Sequence, residues 1–183
     1  MNRNTLFGAL VAATLVLPMA ASAELPVGAK APGFATQGAL AGKEFAFNLQ
    51  VALRKGPVVL YFYPKSFTQG CTLEAHAFAE AMGDFRKAGA TVIGLSADDL
   101  ETQKKFSTEH CRDQFPVAIA SPAIIQAYQV QLKKPDGTVL PVTSRTSYVI
   151  GRDGRIKLAY TNMDYSDHVK RALAAVQALQ GKR

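Results

Sequence analysis

The sequence predicts a single α/β domain built on a central mixed sheet with helices on both faces. Three observations carry that expectation. Val58-Val-Leu-Tyr-Phe-Tyr63 is apolar, β-branched or aromatic throughout, which suits a strand buried on both faces of a mostly parallel sheet. A helical stripe follows it and leads into a second such run at Thr91–Ala97. Near the C-terminal end, a hairpin signal precedes an amphipathic closing helix. Composition permits one core and little else: 183 residues, 48% hydrophobic and 19% charged with two Cys, exclude disorder, collagen-like repeats and a disulfide-dense miniprotein.

In chain order, Met1-Asn-Arg3 precedes an uncharged apolar stretch over Leu6–Ala20, and Ala21-Ser22-Ala23 is a small-x-small site before Glu24. The pattern is that of a secretory signal peptide, too short and weakly flanked for a membrane anchor. The expected mature domain is therefore Glu24–Arg183, exported across the inner membrane, to the periplasm if the host is a Gram-negative bacterium, with no stable membrane association. Pro64 closes the first strand, and a short loop, Lys65–Gly70, leads into a helix. Its stripe of Cys71, Ala75, Phe78, Met82 and Phe85 recurs at steps of four and three until Gly89 stops it. With Thr91–Ala97 this is a βαβ unit, right-handed by default. Asp98 or Asp99 can cap a polar helix running to about His110. Phe115–Ala120 reads as a third strand, Pro122–Val130 as a short helix and Lys134-Pro-Asp-Gly137 as a turn. Thr146–Gly151 and Ile156–Tyr160 flank Arg152-Asp-Gly154, a hairpin. Asp164 is the expected cap of a last helix with Val169, Leu173, Val176 and Leu179 inward. That order of elements is the thioredoxin-like arrangement.

In open α/β sheets sites lie beyond the carboxyl ends of the strands, which singles out the loop Pro64-Lys-Ser-Phe-Thr68-Gln-Gly-Cys71. Cys71 opens a helix, where unpaired N–H groups and the macrodipole favour an anion and hence the thiolate. A cysteine on an apolar stripe is also an ordinary core residue, so position alone leaves both open. The net charge of +7 is scattered, with no basic run of five or more, and this speaks against a nucleic-acid partner.

Pro64-x-x-x-Thr68-x-x-Cys71, with a distant Arg145 just before a strand, is similar to the signature loop of the peroxiredoxins. The stretch Tyr61–Ala75 resembles their bacterioferritin comigratory protein branch, and the likeness extends to Ala31-Pro-Gly-Phe34, Ile93–Asp98 and Arg145–Ile150. The resemblance implies a thiol-dependent peroxidase that reduces hydrogen peroxide and small organic hydroperoxides without metal, haem or flavin. Cys71 would be the peroxidatic nucleophile, Thr68 and Arg145 would polarise the peroxide and hold the thiolate, and Pro64 would shield the sulfur. Residue chemistry agrees: a thiolate can attack a peroxide oxygen, and Arg145 offers a fixed fork of donors that cannot lose its proton. Glu74, in the first helical turn by this reading, is a recurrent active-site neighbour in the branch.

The resemblance also implies a resolving cysteine. Many members of the branch place it five residues after the peroxidatic one, where this chain has His76. Cys111 lies about one helical turn later than the other common placement, on a helix face shared with Leu100, Lys104 and Ser107 that should be near solvent. Resolution through an intramolecular disulfide, a permanent structural disulfide and an idle thiol all remain open. Recycling would fall to a thioredoxin-like or small-molecule thiol, and the domain is expected to be a monomer or weak homodimer. Two rival readings are a thioredoxin-type disulfide exchanger, which lacks its second cysteine because Thr68 fills that slot, and a metal-binding module using Cys71, His76, His110 and Cys111. The adjacent His110-Cys111 pair is awkward for one tetrahedral ion. His76 and His110 read as helix-surface residues, and His168 has no evident partner.

Overall fold

The computed structural model describes residues 24–181, so the expected signal peptide over residues 1–23 lies outside the described residues. Among the described residues no helix is long and apolar enough to cross a membrane. Among the described residues the first strands form a hairpin, β1 (Ala35–Leu40) and β2 (Lys43–Asn48), which turns through Ala41 and Gly42, both at positive φ. The Asn48 side chain then accepts from the Val51 N–H at 3.0 Å and caps α1 (Leu49–Lys55). Neither the hairpin nor α1 is predicted from the sequence, since Ala41-Gly42 lacks the usual Asn-Gly or Asp-Gly pair and α1 is too short to show a period.

From there the predicted order holds. β3 (Val58–Phe62) leads into α2 (Gln69–Lys87), β4 (Thr91–Ser96), α3 (Leu100–Glu109), β5 (Val117–Ile119) and α4 (Pro122–Ala127). β6 (Gln131–Lys133) and β7 (Val139–Thr143) form a separate hairpin around the Lys134–Gly137 turn. β8 (Thr146–Ile150), β9 (Ile156–Thr161) and α5 (His168–Ala178) complete the chain. Asp99 is the residue that caps α3, accepting from the Thr102 N–H at 2.7 Å. The last helix starts later than predicted. Asp164 instead accepts from the Ser166 N–H at 3.0 Å in a turn, and Asp167 stands at the N-cap of α5. Asn162 makes the same kind of turn with the Asp164 N–H at 2.9 Å, so short polar side chains satisfy this backbone locally before a helix can begin.

Seven strands form one sheet in the order β2-β1-β5-β4-β3-β8-β9, with β3, β4 and β5 parallel and the outer pairings antiparallel. β3 lies inside the sheet, between β4 and β8, and is wholly buried. Its alternation divides the core: Val58, Leu60 and Phe62 face α1 and α4, whereas Val59, Tyr61 and Tyr63 face α2 and α5. On the second side α2 buries Ala75, Phe78, Met82 and Phe85, the predicted stripe, each large side chain contributing about 1.5–3 kcal/mol. The Tyr61 ring approaches β4 at Gly94, where any Cβ would come within 2.7 Å of it. These layers put the amino end of α2 at the carboxyl end of β3.

Candidate active site

The Tyr63 N–H still bonds the Leu95 carbonyl at 3.0 Å, and the chain then crosses the carboxyl end of the sheet in the loop over residues 64–68. Side chains far away in sequence pin that loop. The Ser66 N–H donates to Asp98 Oδ2 at 2.7 Å, and the Thr143 hydroxyl donates to the Tyr63 carbonyl at 2.7 Å. The Tyr63 hydroxyl donates to buried Gln103 at 2.9 Å, whose amide in turn reaches Ser96 Oγ at 2.8 Å. Phe67, at φ 63° and exposed, folds back against Phe106 and His110.

Thr68 is the N-cap of α2, but its hydroxyl donates backward to the Lys65 carbonyl at 2.9 Å and makes no side-chain cap bond. The first-turn N–H groups of α2 therefore keep their attraction for negative charge. Cys71 sits in that turn, 1% exposed. Pro64 is half-buried just past the end of β3. Because α2 starts at Gln69, Glu74 falls in the second turn and not the first, and it is fully buried.

Arg145, immediately before β8 and buried, ties the site together. Its Nη2 lies 3.6 Å from Cys71 Sγ, its Nη1 is ion-paired with Glu74 Oε2, and its Nε donates to the Met163 carbonyl at 3.0 Å. Gly70 allows this approach, since a Cβ there would stand 3.1 Å from Nη2. Burial pushes the Glu74 carboxyl up to about 8, while the Arg145 guanidinium pulls the other way. The structure thus gathers Cys71, Arg145 and Glu74 at one point, with Thr68 and Pro64 on the loop above.

The sequence reading missed His168. It is fully buried, with Nδ1 2.8 Å from Ser147 Oγ, Nε2 2.9 Å from the Asn162 carbonyl, and Nδ1 3.8 Å from Glu74 Oε1. Its position one turn before Ala172 on the inward face of α5 was the available signal. Burial lowers its imidazole from 6.5 to about 4. The unfolded chain takes up a proton as pH falls below 6.5 and the folded chain resists until about 4, so stability is lost across that window. Relative to His168→Gln, which has no such proton, the wild type should lose about 2–3 kcal/mol between pH 6.5 and pH 4, measured by urea unfolding. Equal slopes for both proteins would disprove it.

Cys111 corrects an expectation: it is wholly buried, not near solvent. α3 ends at Glu109, and Arg112 and Asp113 take positive φ, so Cys111 no longer follows the helical face and turns into the apolar cluster that also holds Cys71. Burial pushes its thiol well above the usual range. Both cysteines are free. His76 and His110, half-buried, meet at 3.3 Å. Among the described residues, no three of His, Cys, Asp and Glu come together as a set that could hold a metal ion.

A thioredoxin-like sheet presenting a helix-mouth cysteine to a buried arginine defines a thiol peroxidase. The comparisons agree: residues 27–159 match the model of the AhpC/TSA family, and the chain belongs to that family. It is 29% identical to peroxiredoxin Bcp of Bacillus subtilis over 86% of this chain and 99% of that one. Chloroplastic peroxiredoxin Q of Suaeda salsa is 33% identical over 72% of this chain and 61% of that protein. The crystal structure of peroxidoxin BcpB from Mycobacterium tuberculosis superposes with a TM-score of 0.73 at 30% identity, over 84% of this chain and 97% of that one. The protein is a thiol-dependent peroxidase, an oxidoreductase that acts on peroxide and is recycled by a thiol reductant.

Proposed function

We propose that Cys71 is the peroxidatic residue of an exported enzyme that reduces hydrogen peroxide and small organic hydroperoxides. The observation that carries this is the Arg145 Nη2 at 3.6 Å from Cys71 Sγ. The helix N-terminus and the guanidinium both favour negative sulfur, and the same donors face the charge that builds on the peroxide oxygens in the transition state. The thiolate attacks one oxygen, an S–O bond forms as the O–O bond breaks, and the leaving oxygen takes a proton to depart as water or alcohol. Sulfur is oxidised by two electrons to sulfenic acid. With its own proton given to the Lys65 carbonyl, the Thr68 hydroxyl is left to accept the peroxide proton, and Pro64 limits water at the sulfur. Rapid mixing of reduced protein with peroxide tests the reading: one equivalent should be consumed before any added thiol, and in Cys111→Ser one oxygen should be gained at Cys71. No consumption would defeat it.

Cys111 then resolves the sulfenic acid: its thiolate attacks Cys71 sulfur, the S–S bond forms as the S–O bond breaks, and the departing hydroxide takes a proton from solvent to leave as water. Its burial requires the turn after α3 to unwind first. Arg112 and Asp113, in the left-handed region at φ 51° and 57°, already strain that turn, which lowers the cost of opening it. Opening also returns the Cys111 thiol to water, where it ionises normally. Cys111→Ser should keep the first turnover and accumulate sulfinic acid at Cys71 on repeated exposure. Mass spectrometry of the oxidised parent should show a Cys71–Cys111 link, whose absence would remove the resolving role.

The Met1–Ala23 pattern supports export to the periplasm, and protein recovered from the extracytoplasmic fraction should begin at Glu24. An intact Met1 terminus there would refute cleavage. An external thiol protein or small thiol restores the dithiol, and the enzyme works as a monomer or weak homodimer.

A further inference from the structure

We propose that His168 is a positioning residue for the Cys71 reaction, holding Arg145 and Glu74 in the arrangement that leaves one guanidinium nitrogen directed at the sulfur. The inference rests on the peroxidase reading and deepens it.

His168 comes from α5, yet its buried ring has a fixed partner at each nitrogen: the Asn162 carbonyl at Nε2, 2.9 Å away, and Ser147 Oγ at Nδ1, 2.8 Å away. A carbonyl only accepts, so the neutral ring carries its proton on Nε2, and Nδ1 accepts the Ser147 hydroxyl. This tautomer acts on Arg145 by two routes. The Nε2–H fixes the Asn162 carbonyl and with it the segment on which Arg145 rests. The Asn162 N–H donates to the Arg145 carbonyl at 3.1 Å, and the Met163 carbonyl accepts from Arg145 Nε at 3.0 Å. The second route runs through Glu74. Its Oε1 is buried with no hydrogen-bond partner, 3.8 Å from His168 Nδ1. Because the Nδ1 lone pair is committed to Ser147, the imidazole offers Oε1 no proton, and the carboxyl binds through Oε2 to Arg145 Nη1 alone. The guanidinium is then held at Nε and Nη1, and Nη2 is the nitrogen turned to Cys71. Asp164 and Arg171 also act on the imidazole, and Tyr160 packs against it at 4.7 Å.

The test compares full-length wild type, His168→Ala and His168→Gln in two assays. One is the rapid-mixing rate with hydrogen peroxide; the other is the rate of Cys71 alkylation by iodoacetamide across pH, read by mass spectrometry. His168→Ala should slow the peroxide reaction about tenfold or more and move the alkylation midpoint to higher pH, since a displaced donor meets the sulfur poorly. His168→Gln returns an N–H to the Asn162 carbonyl and should recover most of both. A folded Ala variant within about twofold of wild type with an unmoved midpoint, or a Gln variant no better than Ala, overturns the proposal. If the Ala variant does not fold, Ser147→Ala takes its place: it frees Nδ1 and should shift the midpoint, and an unmoved midpoint overturns the proposal equally. Alkylation needs no peroxide. A wild type inert to peroxide but sensitive to His168 in alkylation would therefore end the peroxidase reading and leave the positioning role standing.

Discussion

Replacing Cys71 by Ser should leave no peroxide turnover above the uncatalysed background and an intact fold. A serine hydroxyl stays protonated at neutral pH even beside a guanidinium, so the site loses its nucleophile while keeping its shape. The exchange of sulfur for oxygen removes little volume, and the hydroxyl retains Arg145 as a neighbour, so the stability cost should be about 1 kcal/mol. Cys111 cannot take over in the folded state. It is fully buried, and burial holds its thiol well above the usual range, so it stays protonated. Peroxide consumption in single-turnover mixing, with circular dichroism to establish folding, checks the result. Retention of most of the activity would mean that another group carries the reaction.

The centre of this fold was readable because its segments are strongly patterned. Val58–Tyr63 is a short, continuously apolar run of β-branched and aromatic residues closed by Pro64, the stripe from Cys71 to Phe85 recurs at helical spacing, and Gly89 at φ 66° ends the helix as expected. The β1–β2 hairpin and α1 were not, because six- and seven-residue elements at the edge carry too few buried positions to set a period. The site divides the same way. Cys71, Thr68 and Pro64 lie within one loop, and Arg145 stands out before a strand. Asp98, Gln103 and Thr143 act through hydrogen bonds that exist only after the sheet closes, so no spacing reveals them, and His168 shows only its place one turn before Ala172. Cys111 was misplaced for a geometric reason: the helical face was extended two residues past Glu109, where the backbone had already left the helix. The same stop that hides this thiol in the core supplies the strained turn through which it can emerge.

Arg145→Lys should slow the reaction with hydrogen peroxide about 10²–10³-fold although the charge is kept. Arg145 works through three nitrogens at once: Nε on the Met163 carbonyl, Nη1 on Glu74, Nη2 on Cys71. A lysine ammonium is a single point of charge, and at that depth it can satisfy one of these directions well. Glu74 is the partner it takes, because a buried carboxyl that loses its donor has no water to replace it. The sulfur and the incoming peroxide then face no directed donor, and the penalty falls on the transition state. Arg145→Ala separates charge from geometry further, since Glu74, already pushed up to about 8 by burial, then takes up a proton and loses its partner, which should cost about 1–3 kcal/mol of stability besides the rate. Rapid mixing and urea unfolding on both variants distinguish the two effects. If Arg145→Lys reacted at the wild-type rate, the charge alone would be sufficient at this site, and the fork that ties Met163, Glu74 and Cys71 together would be a support of the fold with no share in the chemistry.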